Sequence, residues 1–334
     1  MLATLLGIRI FDVEVSSRCN LHCRFCPRDK IPSTGLMSEK TFGRFLDAVP
    51  LKSTDSLAFV GMGEPTLNPR LPDFIQQAKA RYPKVVTWVT TNGTTLTKGM
   101  VERLAGAGLD ILDVSFKGVD RATYEAQMRG ACYQASLENV EGAARLIDGM
   151  GLRTKLQVNF VVTKENRSGV KAVKAFWRRR GVENFRIQRM HSRGGTVALK
   201  DMNGEGGRGL GGRGCVVFDT MTFVAWDGKV YYCSHDAGRR HPIGDIHTDS
   251  LQAIRARKRA IRRQGAWTEV CAGCTDPLRR DMRQEIDRAI VSELAAVPGR
   301  LCRAVRRGGG RRAGSATEVQ VGLERRPWTE EGLG

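Results

Sequence analysis

Three cysteines, Cys19, Cys23 and Cys26, sit in the stretch SSRCNLHCRFCPRDK with the spacing C-x3-C-x2-C. A structural zinc site takes four ligands and a disulfide takes two. A [4Fe–4S] cluster takes one thiolate per iron. Three thiolates from one loop would leave one iron open to a nitrogen or oxygen that the protein does not supply. A partial zinc site, or three unrelated thiols, are the other readings of the triplet alone. A second group follows far downstream, with Cys215 and Cys233 spaced C-x17-C and Cys271 and Cys274 spaced C-x2-C. Four thiolates can close a site completely, around zinc or around an iron–sulfur cluster. Cys132 and Cys302 read as plain buried thiols.

The elements that must position these groups come from hydrophobic periodicity. Strands are expected at 10–15, 56–60, 85–91, 111–116, 155–162 and 184–189. Helices are expected from Ser38 as cap to about 49, then at 71–81, 98–107, 135–150 and 170–180. Six strand–helix alternations predict parallel βα units, hence a barrel or a doubly wound sheet. In such folds ligands meet the carboxyl ends of the strands. The unusual motifs fall there: the cysteine loop after the first strand, GMGEP (61–65) after the second, TTNGT (90–94) after the third. From position alone, Glu14, Lys117, Tyr124, Arg129 and Arg189 are candidate catalytic residues. Arg186, Arg189 and Arg193 could hold a carboxylate or phosphate. Beyond residue 195 the pattern changes to a glycine-rich linker (196–214) and a hairpin turning at Asp227-Gly228. A basic amphipathic helix at 249–264 and another from about 276 complete it, and the segment 308–334 reads as a disordered tail.

The chain has 334 residues and a formal net charge of +19. It is long enough to bury a large core, so its cysteines need not be staples. Between residues 251 and 312 there are 16 basic and 6 acidic residues, about half of the excess. A solvated basic helix face with a tail explains that. No nucleic-acid motif accompanies it, so a nucleic-acid partner is not expected. Neither a cleavable leader nor an apolar run of membrane length is evident, so a reducing cytoplasm is expected.

C-x3-C-x2-C with Phe25 before the last cysteine, following a first strand, resembles the radical S-adenosylmethionine (radical SAM) superfamily. The resemblance runs over about residues 11–190. It implies a partial (β/α)6 barrel over residues 1–195 and a [4Fe–4S] cluster on Cys19, Cys23 and Cys26, with S-adenosylmethionine chelating the open iron. It also implies cofactor contacts from Phe25, Gly61, Gly63, Glu64, Pro65, Thr91, Asn92, Ser115, Asn159 and Gln188. Glu64 would meet the amino group of S-adenosylmethionine. Met62 departs from the glycine common at that place in the family. Residues 215–307 resemble the shorter Twitch form of the SPASM extension. That implies an auxiliary [4Fe–4S] cluster on Cys215, Cys233, Cys271 and Cys274.

The resemblance further implies a substrate from which a 5′-deoxyadenosyl radical takes hydrogen, and an external electron donor such as flavodoxin or ferredoxin. With no leader-binding domain expected ahead of the first strand, a small polar molecule is favoured over a peptide. Within the family, Twitch-type enzymes of antibiotic biosynthesis are similar. The leading expectation is decarboxylation of a cytosylglucuronate-like nucleoside uronic acid, with Glu14, Lys117 and Arg189 as catalytic candidates. Dehydrogenation of an aminocyclitol or sugar alcohol, and maturation of a ribosomal peptide, are the alternatives.

Overall fold

The computed structural model describes residues 9–162, 169–197 and 215–276. The segment 198–214, the helix expected from about 276, Cys302 and the tail lie outside the described residues.

Six strands build the expected frame: β1 (Ile10–Val13), β2 (Ser56–Phe59), β3 (Val86–Thr91), β4 (Ile111–Ser115), β5 (Lys155–Val162) and β6 (Asn184–Arg189). Each pairs in parallel with the next. The crossovers carry α1 (Glu39–Ala48), α2 (Leu71–Arg81), α3 (Lys98–Gly106), α4 (Arg121–Gln127), α5 (Tyr133–Gly149) and α6 (Val170–Arg178). Their starts follow local chemistry. Ser38, Thr97 and Asp120 each accept a hydrogen bond from a first-turn backbone N–H, which satisfies donors that the helix itself leaves unpaired.

Alternation along the strands divides the molecule. Phe11, Val13, Leu57, Phe59, Val89, Leu112, Val114, Val158 and Phe160 point to the helices and are buried there. Phe42 of α1 stacks on Phe74 of α2 at 4.5 Å and lies 6.0 Å from Phe59. Each such side chain contributes ~1.5–3 kcal/mol by leaving water. The opposite face carries Asp12, Glu14, Trp88, Asp113, Gln157, Asn159 and Arg186. The Arg186 guanidinium on β6 lies 4.6 Å over the Trp88 ring on β3. The sheet therefore curls, and this second face becomes a polar lumen.

The sheet does not stop at β1. After the five-residue helix α7 (Val216–Thr220), β7 (Met221–Val224) pairs in parallel with the free edge of β1. β8 (Lys229–Tyr231) and β9 (Pro242–Asp245) follow in antiparallel pairing. The strand order is β6-β5-β4-β3-β2-β1-β7-β8-β9. Then come α8 (Leu251–Gln264), capped by Ser250, and α9 (Glu269–Ala272). The expected turn at Asp227-Gly228 is present, with Gly228 at φ +90°. Three of the described helices were not expected: α4, α9, and α7, whose residues read as part of the hairpin strand. Among the described residues no helix is long and apolar enough to cross a membrane.

Candidate metal centres and the lumen beside them

The cysteine loop leaves β1 and folds back on itself, with the Cys26 N–H donating to the Cys23 carbonyl at 3.1 Å. Arg28 fixes the start of the loop, donating to the carbonyls of Cys19 (2.8 Å) and Leu21 (2.6 Å). The far side is held by backbone bonds from His22 to Arg129 and from Arg24 to Gln127. Asn92 leans in from the end of β3. Its Nδ2 donates to Asn20 Oδ1 at 2.9 Å and lies 3.9 Å from Cys19 Sγ. Cys19, Cys23 and Cys26 are all partly accessible on this one loop. Burial pushes the Cys23 thiol up to about 12 and raises that of Cys19 as well. Thiols so placed ionise only against a strong positive charge, which a metal supplies.

GMGEP is shaped by close approach. A Cβ on Gly61 would lie 2.6 Å from Glu14 Oε1, and one on Gly63 would lie 2.6 Å from the Arg18 carbonyl oxygen. Glycine is required at both places for the second strand end to lie against the cysteine loop. Glu64 is bonded on all sides within the chain. Its Oε1 accepts from Thr66 N (3.1 Å), Thr66 Oγ1 (2.6 Å) and Thr91 Oγ1 (2.7 Å), and its Oε2 accepts from Asn92 N (2.6 Å). The buried carboxylate is a clamp between β2 and β3. Thr91 and Asn92 are likewise spent on the clamp and the loop. Pro65 opens a short 3-10 turn just beyond.

Ser115, the last residue of β4, stands beside Asn159 midway along β5. Asn159 Nδ2 donates to Asp113 (3.2 Å), and its Oδ1 accepts from Lys117 Nζ (3.0 Å). Gln188 is half-buried on β6. Phe25 is half-buried beside Arg24, whose guanidinium lies 5.4 Å from its ring.

The catalytic candidates separate. Lys117 enters the lumen, within electrostatic range of Asp113, Arg186, Arg193 and Cys23, and burial lowers its ammonium to about 7. Glu14 is instead a structural partner. Its Oε1 accepts from the Met62 N–H at 2.9 Å, and Arg239 pairs with the other oxygen. Arg239 reaches it from a left-handed backbone (φ 52°), its guanidinium beside the Phe223 and Tyr231 rings. Arg189 is exposed, three residues from Arg186 and so on the opposite face of β6. Tyr124 packs on Phe116 in the helix-side core, at 4.2 Å, and Arg129 is exposed. Cys132, expected to be buried, is exposed just ahead of α5.

Asp12, Trp88, Asp113 and Gln157 of the lumen were not singled out in the sequence. Asp113 gathers Gln157, Asn159, Thr90 and Arg186. Asp12 is buried, makes no hydrogen bond or ion pair among the described residues, and is raised to about 7 by burial against the pull of Arg186 and Lys258. Arg186 Nε and Trp88 Nε1 are buried donors without a partner among the described residues. Alternation on β1 places Asp12 in the lumen, but a lone Asp between apolar residues gives no sign of its partners.

The second cysteine set converges fully. Cys215, Cys233, Cys271 and Cys274, with Tyr232, His235 and Asp276, line one cavity of ≈ 340 Å³ measured out to its open mouth. Tyr232 Oη lies 3.5 Å from Cys271 Sγ, and the His235 N–H donates to Cys233 Sγ at 3.5 Å. Burial raises the Cys215 thiol to about 11 and that of Cys233 further. Four converging cysteines, Cys274 buried and the other three half-buried, with the His235 N–H aimed at one sulfur, fit an iron–sulfur cluster. The segment after β6 docks here: Ser192 donates to the Gly273 carbonyl (2.6 Å), and Thr275 N donates back to Ser192 Oγ (3.0 Å). His235 Nε2 lies 2.7 Å from Asp276.

Two family profiles match the chain. The radical SAM superfamily covers residues 13–173, and SPASM, an iron–sulfur cluster-binding domain, covers residues 215–275. The first implies a [4Fe–4S] cluster with S-adenosylmethionine, and the second implies auxiliary iron–sulfur binding. Among curated proteins, the chain is similar to the tungsten-containing aldehyde ferredoxin oxidoreductase cofactor-modifying protein of Pyrococcus furiosus, 30% identical over 46% of this chain and 44% of that one. PqqA peptide cyclase of Granulibacter bethesdensis is 31% identical over 46% and 39%. GTP 3′,8-cyclase of Mycobacterium marinum is 34% identical over 46% and 42%. The match thus spans less than half the length of each of these relatives. Among solved structures, BtrN in complex with AdoMet and 2-DOIA gives a TM-score of 0.58 at 19% identity, covering 81% of this chain and 94% of that one. anSMEcpe with bound AdoMet gives 0.59 at 15%, covering 90% and 98%. SuiB of Streptococcus suis bound to precursor peptide SuiA gives 0.56 at 15%, covering 76% and 66%. These likenesses show the fold.

Proposed function

We propose, for a chain that carries a radical SAM domain and an SPASM-type iron–sulfur domain, that it takes a hydrogen atom from a small, polar, anionic substrate held in the lumen. The leading reading is a nucleoside uronic acid of the cytosylglucuronate type, which then loses carbon dioxide. The observation that supports a compact charged substrate is the lumen itself. Arg186 and Lys117 offer cations, Asn159 and Gln157 offer amides, and Asp12 is a carboxylate without a partner among the described residues.

When bound, the two clusters and S-adenosylmethionine would supply a 5′-deoxyadenosyl radical and a one-electron acceptor. The chain's own residues do the rest. Cys19, Cys23 and Cys26 hold the first cluster, with Asn92 orienting their loop. The backbone at Gly61 and Gly63, with Ser115 and Gln188, faces the cofactor. Arg186 holds the substrate carboxylate. A hydrogen atom leaves the carbon that bears a hydroxyl, one electron follows, and the hydroxyl proton passes to Asp12 or Lys117. Those losses sum to a two-electron oxidation to a ketone. With a carboxylate on the neighbouring carbon, the product is a β-keto acid. Its C–C bond then breaks, the electron pair moves toward the ketone, and carbon dioxide departs.

Where no such carboxylate is present, the ketone itself is the product. That is the second reading, dehydrogenation of an aminocyclitol or sugar alcohol. It is favoured by a four-cysteine site with no ligand position left for substrate. A flavodoxin- or ferredoxin-type donor would supply the starting electron.

The test is anaerobic reconstitution, then incubation with S-adenosylmethionine, reductant and a cytosine-linked uronate. About eight irons per chain are expected, with 5′-deoxyadenosine and carbon dioxide formed in step. 5′-Deoxyadenosine that rises only with an aminocyclitol would select the second reading. A response only to a ribosomal precursor peptide would overturn the small-molecule proposal.

A further inference from the structure

Lysine is almost never buried without a partner, yet Lys258 is 7% exposed. It sits on the inward stripe of α8 with Leu251 and Ile254, at a place where the helix pattern calls for an apolar residue. Around it the helix is basic and open, with Arg255, Arg257, Arg259, Arg262 and Arg263 exposed or half-buried. The buried ammonium donates to the Met221 carbonyl at the start of β7 and lies 4.9 Å from the ring of Phe218, which lines the four-cysteine cavity. No carboxylate forms an ion pair with it among the described residues. The nearest acid on that side, Asp219, is taken by Arg262 at 3.0 Å. The other acidic groups in its electrostatic range include the thiols of Cys233 and Cys215.

We propose that Lys258 is the charge that sets the reduction potential of the cluster on Cys215, Cys233, Cys271 and Cys274, raising it so that the cluster accepts an electron from the oxidised substrate. The inference rests on the reading that these four thiolates carry an iron–sulfur cluster. A cluster potential follows from net charge, hydrogen bonds to sulfur and exposure to solvent. Tyr232 and the His235 N–H supply the hydrogen bonds and are neutral. Lys258 supplies the positive charge, in a dry setting where water screens it least. Reduction adds one electron to a cluster already negative through its thiolates. A fixed cation beside it stabilises that reduced form more than the oxidised one. Lys258 also lies within electrostatic range of Asp12 in the lumen. One cation on this helix is thus coupled electrostatically to both the lumen and the sulfurs.

The experiment is a potentiometric titration, read by electron paramagnetic resonance, of the full chain with Cys19, Cys23 and Cys26 replaced by Ala, so that only the auxiliary signal remains. Lys258→Met and Lys258→Gln should shift the reduction equilibrium toward the oxidised form by tenfold or more, which is 59 mV for one electron, with iron content unchanged. Lys258→Arg should stay within threefold of the parent. Gln can still donate to the Met221 carbonyl, so it separates the charge from the hydrogen bond. Both neutral variants within threefold of the parent, iron retained, would overturn the proposal. So would loss of iron from both but not from Lys258→Arg, since the lysine would then hold the site together and not tune it. A parent without about four irons would fail the underlying cluster reading instead, and the iron assay shows that before any Lys258 variant is compared.

Discussion

Burial makes Asp12 and Lys117 costly to hold in charged form. An unfolded Asp ionises near 3.8, whereas burial raises Asp12 to about 7. Between those values the folded chain binds the extra proton. Its contribution to stability is full below 3.8 and is lost as pH rises through 7. Asp12→Asn has no such loss. In urea titrations of the reconstituted protein, the variant should gain on wild type by about 1 kcal/mol from pH 6 to pH 8. Parallel stability curves across that window would mean that Asp12 is not buried as a carboxyl group. Lys117 is lowered to about 7 by burial, so the proton-transfer role proposed for it can be tested near neutrality. Lys117→Met should cut turnover about 100-fold or more while iron content and S-adenosylmethionine binding stay level. Unchanged turnover would remove it from the chemistry.

At the scale of elements, the six βα units were legible because two signals coincide in each. Period-two apolar runs mark the strands, and Ser38, Thr97 and Asp120 mark helix starts. The cysteine sets stood out by their spacing, and the resemblance to the radical SAM family gave them their expected ligand roles. The partners of buried charge were not, because they are remote. Glu14 meets Arg239 across 225 positions, and no local pattern announces that pair. Nor does VVFDTMTFV reveal that its first five residues form a helix. Nor do the four donors that Glu64 accepts from appear in any local pattern, since two of them come from the end of β3. The two motif glycines give a sharper test than the glutamate. Gly63→Ala forces a methyl into the backbone of residues 16–18, which carries the cysteine loop. Iron should fall from about eight to about four per chain, with the auxiliary signal intact. Retention of both clusters would show that the loop can yield.

At the scale of the molecule, the extension continues the sheet of the core. β7 covers the edge of β1 that the six-stranded frame leaves open, with four paired residues from Ile10↔Met221 to Val13↔Val224. Arg239 crosses the same seam to neutralise Glu14, and Ser192 ties the end of β6 to the loop of Cys274. Cutting the chain after residue 197 would therefore do more than delete a cluster. It would bare the hydrogen-bonding edge of β1 and leave Glu14 buried without its cation. An open edge of this kind pairs with other chains, and an uncompensated buried charge costs ~3–5 kcal/mol. The fragment 1–197 should aggregate or run as a multimer on size exclusion and should not hold its first cluster. Arg239→Ala in the full chain should keep both clusters but unfold at lower denaturant. A monomeric fragment with about four irons would show that the barrel stands alone and that the shared sheet is only an attachment. If the fragment fails and Arg239→Ala is merely weakened, the edge pairing stabilises the barrel more than the ion pair does, and the two cluster sites are parts of one fold.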